Sequence, residues 1–281
     1  MDRNSPPEGM PEEVWDRLNL IVRSKTMLIP IRNFINTIGW KDRYDEWDVR
    51  EYLRKMEDEG YKGDYLRFQY YSIRNLFRAM DLPWKMVRAD LPDATPRHMK
   101  TTPVLSAKQI RKIIQTVRAE GTDYEIFYTC VSTLYGARRV EMARIKPGDI
   151  RKDRILIRTG KGGVQREQFV PKPVRPILQS FKKQKNFTPS VLSLVFNDIL
   201  EKAGIKKRYR TGWHSIRRAL VTEMRKNIRG TPLLEGDVAN FMRWAMPPNS
   251  HTMLSIYNKE DPVAADRLIF KYVHPFMEWW L

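Results

Sequence analysis

The 281-residue chain holds one cysteine, Cys130, and only four histidines. A single thiol inside an apolar stretch excludes an internal disulfide and any cysteine-based zinc cluster, and it fits a reducing, intracellular setting. The opening residues, Met1-Asp2-Arg3-Asn4-Ser5-Pro6-Pro7-Glu8, lack the basic start and apolar core of a signal peptide. No apolar run approaches the roughly 20 residues that a membrane-spanning helix needs. A Walker-type glycine loop and clustered carboxylates are both missing, so neither a bound nucleotide nor a metal is expected, and the cofactor expectation is none. Internal repeats and low-complexity segments are absent as well. β signals are confined to residues 154–170, which makes the expected fold mainly α with a small β-hairpin.

Positive charge is abundant. The formal net charge is +18 and the isoelectric point is near 10.0, which calls for a polyanionic partner, either nucleic acid or an anionic membrane face. The charge is unevenly spread: residues 1–100 carry 18 Lys and Arg against 17 Asp and Glu, leaving 33 against 16 in residues 101–281. The second part is therefore the one expected to meet phosphates.

Residues 1–89 read as a helical module. Val14, Trp15, Leu18 and Ile21 or Val22 form one stripe over residues 11–24, and an apolar segment follows from Ile29 to Ile38. Asp45 is placed to cap a helix reaching about Glu59 and stopped by Gly60, with Trp47, Val49, Tyr52, Leu53 and Met56 as candidate core positions. From Tyr65 to Met80, Leu66, Tyr70, Ile73, Leu76 and Phe77 recur at helical spacing. Arg67, Arg74 and Arg78 on that helix are interleaved with Tyr65, Phe68, Tyr70 and Tyr71, a face that suits either a core or a DNA backbone. Residues 90–103 contain three prolines without apolar periodicity and read as a linker, coincident with the jump in charge.

Residues 104–281 then form a second, basic domain. Ser106 is a candidate N-cap for a helix bearing Ile110, Ile113, Ile114 and Val117, and residues 122–134 suit a buried helix. Between them and a hairpin at 154–170 lies Gly136-Ala137-Arg138-Arg139-Val140-Glu141. Lys161 stands at the hairpin tip between Gly160 and Gly162. Helices are expected at about 173–184 and 189–203, and another near Trp213, after Gly212. On the last, His214 and Arg217 are three apart and so share a face, pairing an imidazole that exchanges protons near neutrality with a permanently charged guanidinium fork. Alone, His-x-x-Arg reads as an ordinary basic helix with one satisfied histidine, and the rest of the chain has to overturn that reading.

Taken in order, the Gly136–Glu141 box, Lys161, His214-Ser215-Ile216-Arg217 and Tyr257 resemble the catalytic domain of tyrosine recombinases, the family of phage and archaeal integrases and chromosome-dimer resolvases. That family carries an arginine in a Gly-x-Arg-x-x-Glu box, a hairpin lysine, a His-x-x-Arg helix, a His or Trp, and a tyrosine nucleophile toward the C-terminus. The resemblance covers residues 104–281, while residues 11–90 are similar only in general form to the family's helical core-binding domain. Arg138 fits the box because Glu141 falls three positions later; Arg139 is its competitor. Trp244, in Asn240-Phe241-Met242-Arg243-Trp244-Ala245, fits the His/Trp slot, although Arg243 stands where a glycine is usual, and His251 is the alternative. Tyr257 is preferred to Tyr272 as nucleophile.

The resemblance implies a C-shaped clamp on double-stranded DNA and a homotetramer on paired sites, exchanging strands through a Holliday junction. It implies tyrosine attack on a phosphodiester to give a 3′-phosphotyrosyl link, with Arg138 and Arg217 gripping the phosphate, Lys161 protonating the 5′ oxygen and His214 managing a proton. Site-specific integration or excision for a virus, plasmid or other mobile element follows as the expected role. The apolar stretch from Asp261 to Leu281 is expected to dock on a neighbouring protomer or on its own. Two other readings stand beside this one: a type IB topoisomerase-like relaxase, and a non-catalytic DNA-binding regulator with the same fold.

Overall fold

A computed structural model describes residues 5–22, 24–94, 103–159, 165–181, 187–244 and 262–281. The chain divides into two compact units, Met1–Thr101 and Thr102–Leu281.

In the first unit, α1 (Glu12–Ile21), α2 (Leu28–Ile38) and α3 (Glu46–Asp58) all pack against α4 (Asp64–Ala79). Leu18, Ile31, Phe34, Val49, Ile73 and Leu76 are wholly buried between them. The start of α3 follows from one side chain: Asp45 accepts from the backbone N–H groups of Trp47 at 2.9 Å and Asp48 at 3.2 Å, satisfying amides that the helix leaves unpaired. Asp48 returns the favour by accepting from the Asp45 N–H at 3.1 Å. Trp47 departs from its expected core position and is 68% exposed, with the Arg50 guanidinium 4.8 Å from its ring centre. The reason is rotation: two positions along a helix is about 200°, so Trp47 faces away from the buried Val49. On α4 the aromatics divide, Tyr70 entering the core while Tyr65 and Tyr71 remain exposed.

The second unit is built around α6 (Asp123–Tyr135), which is buried along its C-terminal two-thirds and packs on α5 (Ala107–Glu120), α8 (Arg175–Gln179) and α10 (Trp213–Asn227). Ser106 caps α5 through the Gln109 N–H at 3.2 Å, and Thr122 accepts likewise from Glu125 at the start of α6. The short helix α7 (Arg139–Arg144) follows α6 directly. Strands β1 (Arg154–Ile157) and β2 (Arg166–Phe169) pair antiparallel, Arg154 opposite Phe169 and Ile157 opposite Arg166, with Ile155 and Ile157 turned into the core. The hairpin tip with Lys161 lies outside the described residues. Of the helix expected at 173–184, residues 182–184 lie outside the described residues, and the described part is instead a 3₁₀ turn at Lys172–Val174 leading into the five-residue α8. Pro173 and Pro176 lack the N–H groups that a continuous helix requires, so the ladder cannot run through.

Among the described residues, helices α9 (Pro189–Lys202), α11 (Glu235–Phe241) and α12 (Pro262–Tyr272) follow, with a 3₁₀ turn at Met277–Trp280. The described part of the C-terminal stretch packs on the second unit. Trp280 donates to Thr133 Oγ1 at 3.0 Å, Arg118 donates to the Trp279 carbonyl at 2.8 Å, and His274 Nε2 lies 2.9 Å from the Leu134 carbonyl. Buried Asp266 of α12 accepts from the Arg166 guanidinium and from the Phe169 N–H, binding α12 to the hairpin.

Candidate active site

Two chain reversals position the site. At the end of α6, Gly136 adopts φ +54°, a left-handed conformation in which a Cβ is costly. It turns the chain so that Arg138 becomes the residue just before α7. Glu141 then sits one turn into α7 and holds Arg138 twice: Oε2 accepts the Arg138 backbone N–H at 2.8 Å, and Oε1 accepts Nη1 at 2.6 Å. Glu141 is buried and Arg138 is partly exposed, so the carboxylate forms a floor and the guanidinium reaches toward solvent. Arg139 diverges from its neighbour, its guanidinium bonding to Ser193 of α9.

The second reversal ends α11. The Arg243 N–H donates to the Asn240 carbonyl at 2.9 Å and the Trp244 N–H to the Ala239 carbonyl at 3.0 Å, a paired closure that places Arg243 in the left-handed region at φ +57°. This backbone conformation accounts for the glycine usual at that position.

Helix α10 begins at Trp213, as the preceding glycine suggests, and Gly212 donates to Ser215 Oγ at 3.3 Å. Trp213 fixes the start by donating its indole N–H to the Leu192 carbonyl at 2.5 Å. One turn on, Arg217 is 2% exposed and donates to two carbonyls, Gly136 at 2.5 Å and Met242 at 2.7 Å, so it joins both reversals. Its guanidinium lies 5.8 Å from the Trp244 ring centre. Burial, then the positive charges of Arg243 and Arg138, push its pKa down to about 9, with Glu141 opposing. A guanidinium so placed stays charged at neutral pH but lies where an anion is welcome.

His214 remains open to solvent at the mouth of the site. Partial burial, then Arg218, Arg217 and Arg138, hold its pKa below the ordinary histidine value, so it is neutral near pH 7. For Glu141, burial pushes the carboxyl upward, but the charge of Arg243 and the bonds from Arg138 outweigh it, and the group is held ionised. The local inventory is thus one buried carboxylate among Arg138, Arg217 and Arg243, a net positive pocket.

Beside it opens a groove of about 1110 Å³, whose lining includes Arg138, Arg139, Arg144, Lys207, Arg210 and His214. Tyr209 stands 84% exposed at its edge with the Arg210 guanidinium 5.2 Å from its ring. The structure therefore brings Arg138, His214, Arg217 and Trp244 together. Lys161, Tyr257 and the alternative His251 lie outside the described residues. Arg243 is the member that reading by residue type missed, because an arginine is expected at the surface; its only signal was the unusual replacement of glycine. Among the described residues no group of three or more His, Cys, Asp and Glu side chains is arranged to hold a metal, and no helix is long and apolar enough to cross a membrane.

No protein-family model and no curated relative matches this sequence. Solved structures do match. A lambda integrase dimer bound to a COC′ core site aligns over 94% of this chain and 79% of its own, with a TM-score of 0.61 and 14% identity. XerH site-specific recombinase bound to a palindromic difH substrate, in a post-cleavage complex, aligns over 84% and 76%, with a TM-score of 0.58 and 16% identity. The Tn1549 transposon integrase in complex with transposon right-end DNA aligns over 92% and 98%, at 0.52 and 11%. At these identities the likeness is one of fold, and the chain has the fold of the tyrosine recombinases.

Proposed function

We propose that the chain is a site-specific tyrosine recombinase acting on double-stranded DNA, and the observation that carries this reading is the buried Arg217 beside partly exposed Arg138. Two guanidinium groups around one ionised carboxylate leave net positive charge at the mouth of a basic groove. A phosphodiester supplies the missing anion: the Arg138 guanidinium meets it from the groove, and Arg217, whose Nη atoms each keep one N–H beyond those given to the Gly136 and Met242 carbonyls, adds charge and the remaining donors. As the scissile phosphate becomes pentacoordinate, these fixed charges stabilise it without rearranging. The matched folds add weight, since their structures were solved on DNA.

In this reading Tyr257 attacks the phosphorus, forming a 3′-phosphotyrosyl bond as the bond to the 5′ oxygen breaks. Lys161 gives that oxygen a proton, and neutral His214 accepts the tyrosine proton or bonds to the phosphate. Trp244 packs beside Arg217 and holds its fork in place. The phosphotyrosyl bond keeps the energy of the phosphodiester, so rejoining needs no nucleotide. Residues 1–89 serve as the helical core-binding domain, residues 90–103 as the linker and residues 104–281 as the catalytic domain, together clamping the duplex. Strand exchange then requires a tetramer on paired sites, passing through a Holliday junction, for integration or excision by a mobile element, virus or plasmid. Because the described tail residues contact their own protomer, tetramer contacts would need other surfaces or release of the tail.

The test uses nicked duplexes selected for binding from a randomised pool. Arg138→Ala and Arg217→Ala are each expected to slow covalent adduct formation by about a hundredfold or more while DNA remains bound; unchanged rates contradict the proposal. Joining of two separate sites, rather than relaxation of one supercoiled circle, distinguishes recombination from topoisomerase action.

A further inference from the structure

We infer that Arg243 is a positioning residue for catalysis: it holds Glu141 in place, and through Glu141 it sets the Arg138 guanidinium that meets the phosphate. The inference rests on the recombinase reading above.

Backbone and side chain conflict at Arg243. Arg243 closes α11 at φ +57°, where glycine is favoured and an L side chain costs about 1 kcal/mol or more. It is also 0% exposed, although arginine is almost never fully buried unless paired. A residue unfavourable on both counts needs an offsetting set of contacts, and Arg243 has one. Nη2 donates to Glu141 Oε2 at 3.1 Å; Nη1 faces the Tyr135 carbonyl at 3.2 Å, the Phe241 carbonyl at 3.4 Å and Gln168 Oε1. Gln168 is itself fixed, donating to the Phe241 carbonyl at 2.9 Å. One guanidinium therefore joins the end of α6, strand β2, the end of α11 and the floor of α7.

The consequence falls on Glu141. Its carboxylate receives three donors, two of them from Arg138 and the third from Arg243. Without Arg243 the buried Oε2 would lose its side-chain donor and would draw a second N–H of the Arg138 guanidinium onto it, turning the fork away from the groove. With Arg243 present, the carboxylate is already compensated, and Arg138 is oriented by it yet keeps charge for an anion. Displacing a catalytic group by about 1 Å costs up to about a hundredfold in rate, which sets the scale of the effect.

The experiment measures single-turnover covalent adduct formation on nicked duplexes selected for binding. Arg243→Met keeps length and removes charge; it is expected to slow the step about ten- to a hundredfold, with DNA affinity within about threefold. Arg243→Lys, which restores a donor and charge next to Glu141, is expected to recover most of the loss. In an Arg138→Ala background, Arg243→Met should cause no further slowing, because the two residues act in series. A merely structural role gives the opposite result: additive losses in the double variant. Should Arg243→Met alone prove too unstable, Arg243→Met with Glu141→Gln removes the buried carboxylate along with its cation and so restores folding. Cleavage by that pair is expected to stay slow because Arg138 has lost its charged anchor, and a wild-type rate overturns the inference. A wild-type chain that forms no adduct on DNA it binds removes the recombinase reading and this inference together, whereas normal cleavage by Arg243→Met removes the inference alone.

Discussion

Arg217 donates to the Gly136 carbonyl at 2.5 Å, linking α10 to the end of α6 across 81 residues of sequence. The bond requires the carbonyl to be aimed by the left-handed turn at Gly136, where φ is +54°. An added Cβ there would lie 2.5 Å from Met242 Cε and 3.2 Å from Leu220 Cδ2. Gly136→Ala is therefore expected to destabilise the chain by about 1–3 kcal/mol, most of it from backbone strain, since the Met242 methyl group can move. Denaturant unfolding checks this, and an unchanged midpoint would show that the turn tolerates a side chain.

Acid sensitivity should trace to His274. The ring is buried, its Nε2 lies 2.9 Å from the Leu134 carbonyl, and its Nδ1 accepts from the Phe276 N–H at 3.3 Å. Those partners assign the neutral tautomer protonated at Nε2. Burial holds the folded-state pKa down to about 4, against 6.5 for an exposed histidine. Because the folded value is depressed, the unfolded chain binds the proton first: the stabilisation is present above pH 6.5 and is lost as pH falls toward 4. The loss should reach about 3 kcal/mol over that interval. Replacing the ring by His274→Gln should flatten this part of the stability profile, even at a cost in absolute stability; a profile as steep as the wild type's would assign the acid sensitivity elsewhere.

Trp47 offers a contrast. Large as it is, it is 68% exposed, and its ring contact among the described residues is with Arg50. Trp47→Ala should cost no more than about 1 kcal/mol, the scale of an exposed cation–π pair. A loss near the 3–5 kcal/mol typical of core tryptophans would mean that this ring is covered in solution.

The limits of sequence reading have local physical causes. Caps were legible because they depend on neighbours: Asp45 and Ser106 start helices where their side chains can reach the next amides. The opening of α10 at Trp213 was legible from Gly212, and the hairpin from its β-branched strands. His214 and Arg217 were visible as a spaced pair and Arg138 through the resemblance of its box to the recombinase motif, and they do converge. Trp47 was misplaced because helical phase at a first turn cannot be judged from apolarity alone. Arg243 could not be recognised as core because its partners come from Tyr135, Glu141 and Gln168, which are distant in sequence. The tail's contacts within the chain were equally illegible, since Trp280 and His274 meet Thr133 and Leu134 only through the fold.

The central claim, that this fold breaks and rejoins DNA through a tyrosine, is tested most directly by trapping the covalent intermediate. Wild-type protein and Tyr257→Phe are incubated with nicked duplexes selected for binding, and SDS-resistant adducts are digested and mapped. An adduct is expected on the peptide containing Tyr257 in the wild type, and none in Tyr257→Phe, which still binds the duplex. An undiminished adduct in Tyr257→Phe, or none from wild-type protein on DNA that it binds, would contradict the claim.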